Sequence, residues 1–331
     1  MIRILPLLLL LLPYIAWADG GPCGGAGVGL QVLGSGGPEL RQGRASNGFL
    51  IWIDGKARIL INSGGGVPMR FVESGAKFAD LELVLFTDLR SDFTAGLPAL
   101  IRATRRSKRT SSLPIYGPQG RGMMSSTITF VRTLFDDKRG AWRNLGVLIN
   151  PLARDSYKLE PHDIRLRLHR GRPRLVDGKK VNPVFGNTRF QVSVAPVMHD
   201  GAAALAWRID TPSGSLVFGS DVTGVHGTLP TFASAAGLLV VSHAVAEDAS
   251  IAMKQRYMPP STIGRIAATT HARELVLTDR RYGTLDHERE SLAVIRRFYR
   301  GPVRFANDLS CYALPTTKRP TGTPGTAPAN R

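Results

Sequence analysis

The chain is short of several things, and each shortage narrows the reading. Of 331 residues only two are cysteine, and acidic side chains number 25 against 43 lysines and arginines. After the first two dozen residues no apolar run is long enough to cross a bilayer as a helix, so a helical span in the body of the chain is excluded. No G-x-S-x-G elbow occurs, which removes the exposed serine nucleophile of that strand-turn-helix device. Ser220, in Gly219-Ser220-Asp221, reads as part of a turn. The arginine-rich stretches lack the interleaved aromatics that stack on bases. Histidines are few, and a metal-free base would have to come from His199, His226 or His243.

What is present begins with an export signal. Met1-Ile2-Arg3, an apolar run from Ile4 to Leu12 that continues past Pro13, and the small-x-small triplet Ala16-Trp17-Ala18 read as a cleaved secretory segment over residues 1–18. The mature chain then starts near Asp19 and is secreted or periplasmic. Export places Cys23 and Cys311 in an oxidising compartment. A disulfide tying the two ends together is expected, with two separate thiols as the alternative. Residues 19–315 are read as one domain, and 316–331, rich in Pro, Thr, Gly and Ala without apolar periodicity, as a disordered tail.

The net charge of +18 is concentrated at Arg102, Arg105, Arg106, Lys108 and Arg109, and again at Arg165, Arg167, Arg170, Arg172 and Arg174. Such an excess suits a polyanion: nucleic acid, anionic lipid or anionic glycan. The plainer reading is a solvated, arginine-rich surface. Ile164, Leu166 and Leu168 alternate with Arg165, Arg167 and His169, as in a half-buried strand with a wet basic face.

Apolar patterning gives strands at Gly29–Leu33, Gly48–Ile53 and Ala57–Asn62, the last two joined by an Asp54-Gly55 hairpin turn. A helix over Val67–Ser74, a buried run Leu83–Phe86 and a helix from Thr94 to about Arg105 follow. A second set of runs at Phe190–Val197, Ala203–Ile209, Ser215–Phe218, Gly237–Val241 and Glu274–Thr278 is interleaved with helices near Leu229–Ala235, Ser261–Thr270 and His287–Tyr299. Two β-rich halves, each carrying helices, predict an α/β protein with two sheets face to face and helices outside.

The segment from Phe86 to Pro98 resembles the T-H-x-H-x-D-H-x-x-G-L-P signature of the metallo-β-lactamase superfamily, with its three histidine positions filled by Asp88, Arg90 and Phe93. The likeness extends along the chain. Gly34-Ser35-Gly36-Gly37-Pro38 with Arg44-Ala45-Ser46 is similar to the opening of the ribonuclease Z and arylsulfatase-like branch. Asn62-Ser63-Gly64 stands where the family has Asp-x-Gly, Val197-Met198-His199 at its next histidine, and Phe218-Gly219-Ser220-Asp221 at the bridging aspartate. Leu275 to Asp279 matches the strand that ends in the last histidine, and Tyr257-Met258-Pro259-Pro260 a His-x-x-Pro segment with a helper histidine. The resemblance implies a four-layer αββα sandwich with its site at one edge of the sheets.

It also implies two zinc ions that activate a bridging water. Mapped residue by residue, Asp92, His199 and Asp221 keep the family's ligand types, whereas Asp88, Arg90, Phe93 and Asp279 replace the other four. A phenyl ring cannot ligate, and a guanidinium is a permanent cation without an acceptor. Asn62 also replaces a carboxylate close to the ligating histidines. The expectation is therefore a site without the dinuclear zinc pair and with no resident cofactor, in which Arg90, helped by Arg280 or Arg281, neutralises the carboxylates and anchors an anionic small molecule or partner. The alternative keeps one Mg²⁺, Mn²⁺ or Ca²⁺ ion on the oxygen-rich set and hydrolyses phosphate or sulfate esters. A third reading binds a polyanion through the surface arginines. Processing of transfer RNA does not suit an exported protein.

Overall fold

The structure, a computed structural model, describes residues 23–40, 43–120, 122–154, 157–169, 172–175, 182–199, 202–220 and 228–315; of residues 166–169, 172–175, 182, 202, 203 and 220 it describes the backbone only. The export segment, the tail, Asp221 and His226 lie outside the described residues.

The strands of the first half are β1 (Val28–Gly34), β2 (Gly48–Ile53), β3 (Lys56–Ile61), β4 (Leu83–Leu85), β5 (Leu113–Pro118) and β6 (Leu159–Ile164). A hairpin of β7 (Leu166–His169) and β8 (Arg172–Leu175) separates them from β9 (Asn182–Gly186), β10 (Gln191–His199), β11 (Ala202–Thr211), β12 (Gly214–Ser220), β13 (Leu238–Ser242), β14 (Glu274–Thr278), β15 (Val303–Phe305) and β16 (Cys311–Ala313). Two seven-stranded sheets result, ordered β16-β1-β2-β3-β4-β5-β6 and β15-β14-β13-β12-β11-β10-β9. Each combines an antiparallel meander with a parallel run, through β3 to β6 in one and β12 to β15 in the other.

Alternation along the strands dictates the layering, because successive side chains point to opposite faces. In β2, Phe49, Ile51 and Ile53 enter the core between the sheets, where they meet Val194, Trp207 and Phe218 of the other sheet. Leu50 and Trp52 point the other way and are covered with Val67, Leu97 and Val131. These last belong to helices α1 (Val67–Glu73), α3 (Leu97–Thr104) and α4 (Thr127–Phe135), and α2 (Ser91–Thr94) precedes α3. The second sheet is covered by α5 (Thr228–Phe232), α7 (Pro260–Thr269) and α8 (Glu288–Ile295), whose Leu229, Ile263 and Ile295 pack on Val217, Leu239 and Leu275. Helix α6 (Ile251–Arg256) buries no side chain. This is the αββα sandwich expected from the sequence. Strands buried on both faces read as continuous apolar runs rather than as alternating ones, as in β2 and β13. No helix among the described residues is long and apolar enough to cross a membrane.

Two local expectations need correction. The helix drawn from Thr94 to Arg105 is two helices, broken at Ala95 and Gly96. The Gly96 backbone presses on the turn after β3: its N–H donates to the Ser63 carbonyl at 2.7 Å, and a Cβ there would lie 2.3 Å from the Gly64 carbonyl oxygen. The half-buried strand across Ile164–His169 is likewise interrupted: Ile164 ends β6, and β7 turns away to pair with β8. The Asp54-Gly55 hairpin is as expected, with φ of +48° and +73°, the left-handed pair that two-residue hairpin turns require.

Cys23 and Cys311 form a disulfide with Cα atoms 5.7 Å apart, tying the start of the described chain to β16 over a separation of 288 residues. The chain-entropy argument gives an upper stabilisation of about 5–6 kcal/mol for so long a loop. Thermal unfolding with and without reductant checks this. The native protein is expected to lose several degrees of melting temperature on reduction, while the Cys23→Ser, Cys311→Ser double variant starts at the lower value and does not respond.

Candidate functional site

Both sheets clamp the segment after β4. From the first sheet, the amide of Asn62, fully buried at the end of β3, accepts from the Thr87 backbone N–H at 2.9 Å and donates to the Asn47 side-chain oxygen at 2.7 Å and to Thr87 Oγ1 at 3.0 Å. From the second sheet, Leu205 N–H donates to the Thr87 carbonyl at 2.9 Å and Trp207 Nε1 to the Phe86 carbonyl at 3.1 Å. A carboxylate at position 62 could accept from Thr87 but could not donate to Asn47. The amide therefore has a structural use that needs no metal-ligating histidine beside it. Asn47, Thr87, Leu205 and Trp207 carry no local sequence signal for this role, because their partners lie on other strands.

Asp88 follows directly and is itself buried. Its Oδ1 accepts the Arg90 backbone N–H at 3.0 Å. Its Oδ2 accepts Arg90 Nε at 3.1 Å, Arg90 Nη2 at 3.0 Å and His199 Nδ1 at 2.9 Å. A carboxylate only accepts, so Nδ1 is the protonated nitrogen of that imidazole. Burial alone would raise the Asp88 pKa, but the bond and charge of His199, together with Arg90, hold it well below the usual carboxylate range. Arg90 also donates to the His199 carbonyl at 3.3 Å and keeps 29% of its side-chain surface open.

His199, at the end of β10 and 2% exposed, is held by rings as well. Phe93, fully buried on α2, meets it edge-on with centroids 5.6 Å apart, and Tyr257 approaches at 6.3 Å. Tyr257 in turn carries the Arg281 guanidinium over its ring at 4.4 Å. Arg281 Nη2 donates to Asp279 Oδ2 at 3.0 Å. Asp279, with no exposed surface and φ of +51°, closes β14 just as Asn62, φ +57°, closes β3; both are residue types that tolerate the left-handed region. The structure thus links Asp279, Arg281, Tyr257, His199, Asp88 and Arg90 in one continuous run of contacts. Arg280 does not join it, pairing instead with Glu288 and donating to the Ala306 carbonyl and Asn307.

Asp92 sits beside this run. Burial, the largest influence, raises its pKa, against the lowering charges of His199 and Arg90. Its carboxylate makes no hydrogen bond to another described side chain. Asp221 lies outside the described residues, so its relation to Asp92 is not part of the geometry. Among the described residues no three His, Cys, Asp or Glu side chains gather as a metal-holding group. The donor chemistry agrees: where the family pattern has imidazoles, this chain offers a phenyl ring packed on His199 and a guanidinium paired with Asp88. That set does not fit a pair of zinc ions.

His243 is not a base for this site. It is fully buried, bonds through Nε2 to Ser291 Oγ at 2.8 Å and stacks edge-on against Phe305. Burial, with the nearby Arg280 charge, pushes its pKa down to about 3. A histidine depressed below its unfolded value stabilises the fold fully above about pH 6.5, and that contribution is lost as pH falls toward 3. Unfolding free energies between pH 7 and pH 4 are expected to decline with a slope of up to about 1.4 kcal/mol per pH unit from this group. The His243→Gln variant should show a correspondingly flatter profile in urea titrations.

No family model matches the chain. Among curated proteins, ribonuclease Z of Thermobifida fusca (strain YX) is 23% identical over 313 residues, covering 87% of this chain and 95% of the relative. Among solved structures, the metallo-β-lactamase fold protein YhfI from Bacillus subtilis superposes with a TM-score of 0.63 at 17% identity, over 86% of this chain and 98% of that one. The short form of human tRNase Z gives the same TM-score at 18% identity, over 87% and 99%. With a relative that spans almost the whole chain and a shared two-sheet architecture, the chain has the metallo-β-lactamase fold and is similar in sequence to ribonuclease Z.

Proposed function

We propose that this is an exported protein that has exchanged the dinuclear zinc site of its superfamily for internal ion pairs and acts by binding an anionic ligand or partner, with Arg90 as the anchoring cation. The observation that carries the reading is the arrangement at Asp88. Its carboxylate is shared by Arg90 and His199 while Phe93 packs against the same imidazole, so two former ligand positions hold the site together without offering a lone pair to a metal. Arg281 supplies the second charge for Asp279. Arg90 keeps 29% of its side-chain surface open, and a guanidinium at such a surface suits carboxylate, phosphate or sulfate through its planar fork. The Cys23–Cys311 disulfide and the apolar N-terminal segment support export. The ribonuclease activity in the relatives' name does not transfer, since it belongs to chains of that name and this chain replaces three histidines of the shared motif.

One observation favours a second reading. Asp92 is half-buried without a side-chain hydrogen bond to another described residue, and together with Asp221 it could hold a single oxygen-loving cation, giving a hydrolase of phosphate or sulfate esters.

Elemental mass spectrometry on the untagged protein, dialysed against excess Mg²⁺, Mn²⁺, Ca²⁺ and Zn²⁺, separates the two. The binding reading expects less than a tenth of an equivalent of any of them, as a rough threshold for adventitious metal, and no change in Asp221→Ala. A stoichiometric ion that disappears in Asp221→Ala would sink it and direct attention to ester hydrolysis.

A further inference from the structure

Most arginines whose contacts are described are matched to carboxylates: Arg58 and Arg189 to Glu82, Arg70 to Glu73 and Asp308, Arg208 to Asp210, and Arg304 to Glu274. The C-terminal end of α3 departs from that pattern. Arg102, Arg105, Arg106 and Lys108 are all exposed, and none makes a hydrogen bond or ion pair with any described residue. Arg102 lies in the last turn of α3, Arg105 caps it and Arg106 follows in the turn, so 102 and 105 stand at the i, i+3 spacing of one helical face.

The turn that presents them is held rigidly, and by another cation. Arg109, 6% exposed, donates to the Leu81 and Ser112 carbonyls and lies about equally between two rings, its guanidinium 6.0 Å from the Phe78 centroid and 5.9 Å from that of Tyr157. Four exposed positive charges within seven residues, without a carboxylate among them, exceed what a helix C-terminus needs, because the dipole favours cations there by only about 0.3–1 kcal/mol each. The surface is built to hold negative charge from outside.

We propose that this end of α3 and the turn to Arg109 bind a flexible anionic polysaccharide. The chemistry of the patch selects that class. Residues 102–109 expose no large apolar side chain of their own, so the patch itself offers nothing to enter a bilayer as an interfacial site requires. The two nearby rings, Phe78 and Tyr157, are buried beneath Arg109, so no exposed aromatic stacks on a base. The remaining recognition is charge on charge along an open surface, which matches a repeating sulfated or carboxylated chain. The proposal is independent of the Arg90 site, since the patch uses none of its residues.

The test measures binding of the intact protein to heparin, desulfated heparin, single-stranded DNA and phosphatidylglycerol vesicles across a salt series. Replacing Arg102, Arg105, Arg106 and Lys108 by Gln is expected to weaken heparin binding by at least about tenfold and to lower the slope of log affinity against log salt by roughly three, at about 0.7 per cation neutralised. A charge-matched control with Arg143, Arg289, Arg297 and Arg300 changed to Gln should bind as the native protein does. All four control positions are exposed. An all-Lys version of the patch should retain binding, which shows that charge rather than a folding defect is read out. Equal losses in the patch and charge-matched variants would overturn the proposal, as would tighter binding to the DNA or the vesicles than to heparin.

Discussion

The carboxylate of Asp88 is the constraint on which the site depends. It is buried, and a buried carboxylate without partners is costly enough that it would protonate or force the loop to move. Here its Oδ2 faces a guanidinium from two residues along the same loop and an imidazole from the opposite sheet. The ion pair is therefore also a strap between the two halves of the sandwich, joining the segment after β4 to the end of β10. Removing either partner would leave the Asp88 carboxylate short of a donor in the protein interior, so the three groups are fixed as a unit.

The same logic governs the other half of the site. Asp279 is wholly buried at the end of β14, and Arg281, resting on Tyr257, is the cation that meets it. Each sheet thus contributes a buried aspartate at a strand end, and each aspartate has its own arginine close in sequence. The two carboxylates are met by side chains of the fold itself: Arg90 and His199 on Asp88, and Arg281 on Asp279. That division explains why the aromatic substitutions sit where they do: Phe93 and Tyr257 flank His199, filling space beside an imidazole whose Nδ1 is already committed to Asp88.

Much of this was legible in the sequence, for physical reasons that differ by element. Strands buried on both faces announce themselves as short apolar runs, and the Asp54-Gly55 turn needs two left-handed residues in succession, so the opening meander could be read locally. The motif substitutions could be read too, because a phenyl ring and a guanidinium exclude metal ligation wherever they point. What could not be read was anything set by a contact between distant segments. The break at Gly96 exists because the turn after β3 lies against it. The choice between Arg280 and Arg281 is decided by the left-handed backbone at Asp279 and by Glu288 on α8, which takes Arg280 away. Asn62 looked like a lost carboxylate, whereas its amide proton and carbonyl are both used, one on Asn47 and the other on Thr87.

The two uses of arginine in this chain follow from one property of the guanidinium. It stays charged in every environment available to a folded protein, so a buried copy must be given acceptors and an exposed copy must be left to solvent or to an outside anion. Arg109 shows the first case with backbone carbonyls and aromatic faces, and Arg90 shows it with a carboxylate. Arg102, Arg105 and Arg106 show the second. A lysine at position 90 could neutralise Asp88 but could not also span from its carboxylate to the His199 carbonyl with the planar fork that Arg90 uses. The identity of the residue at position 90, and not only its charge, is therefore what allows one side chain to close the loop, brace the opposite sheet and still keep part of its surface open.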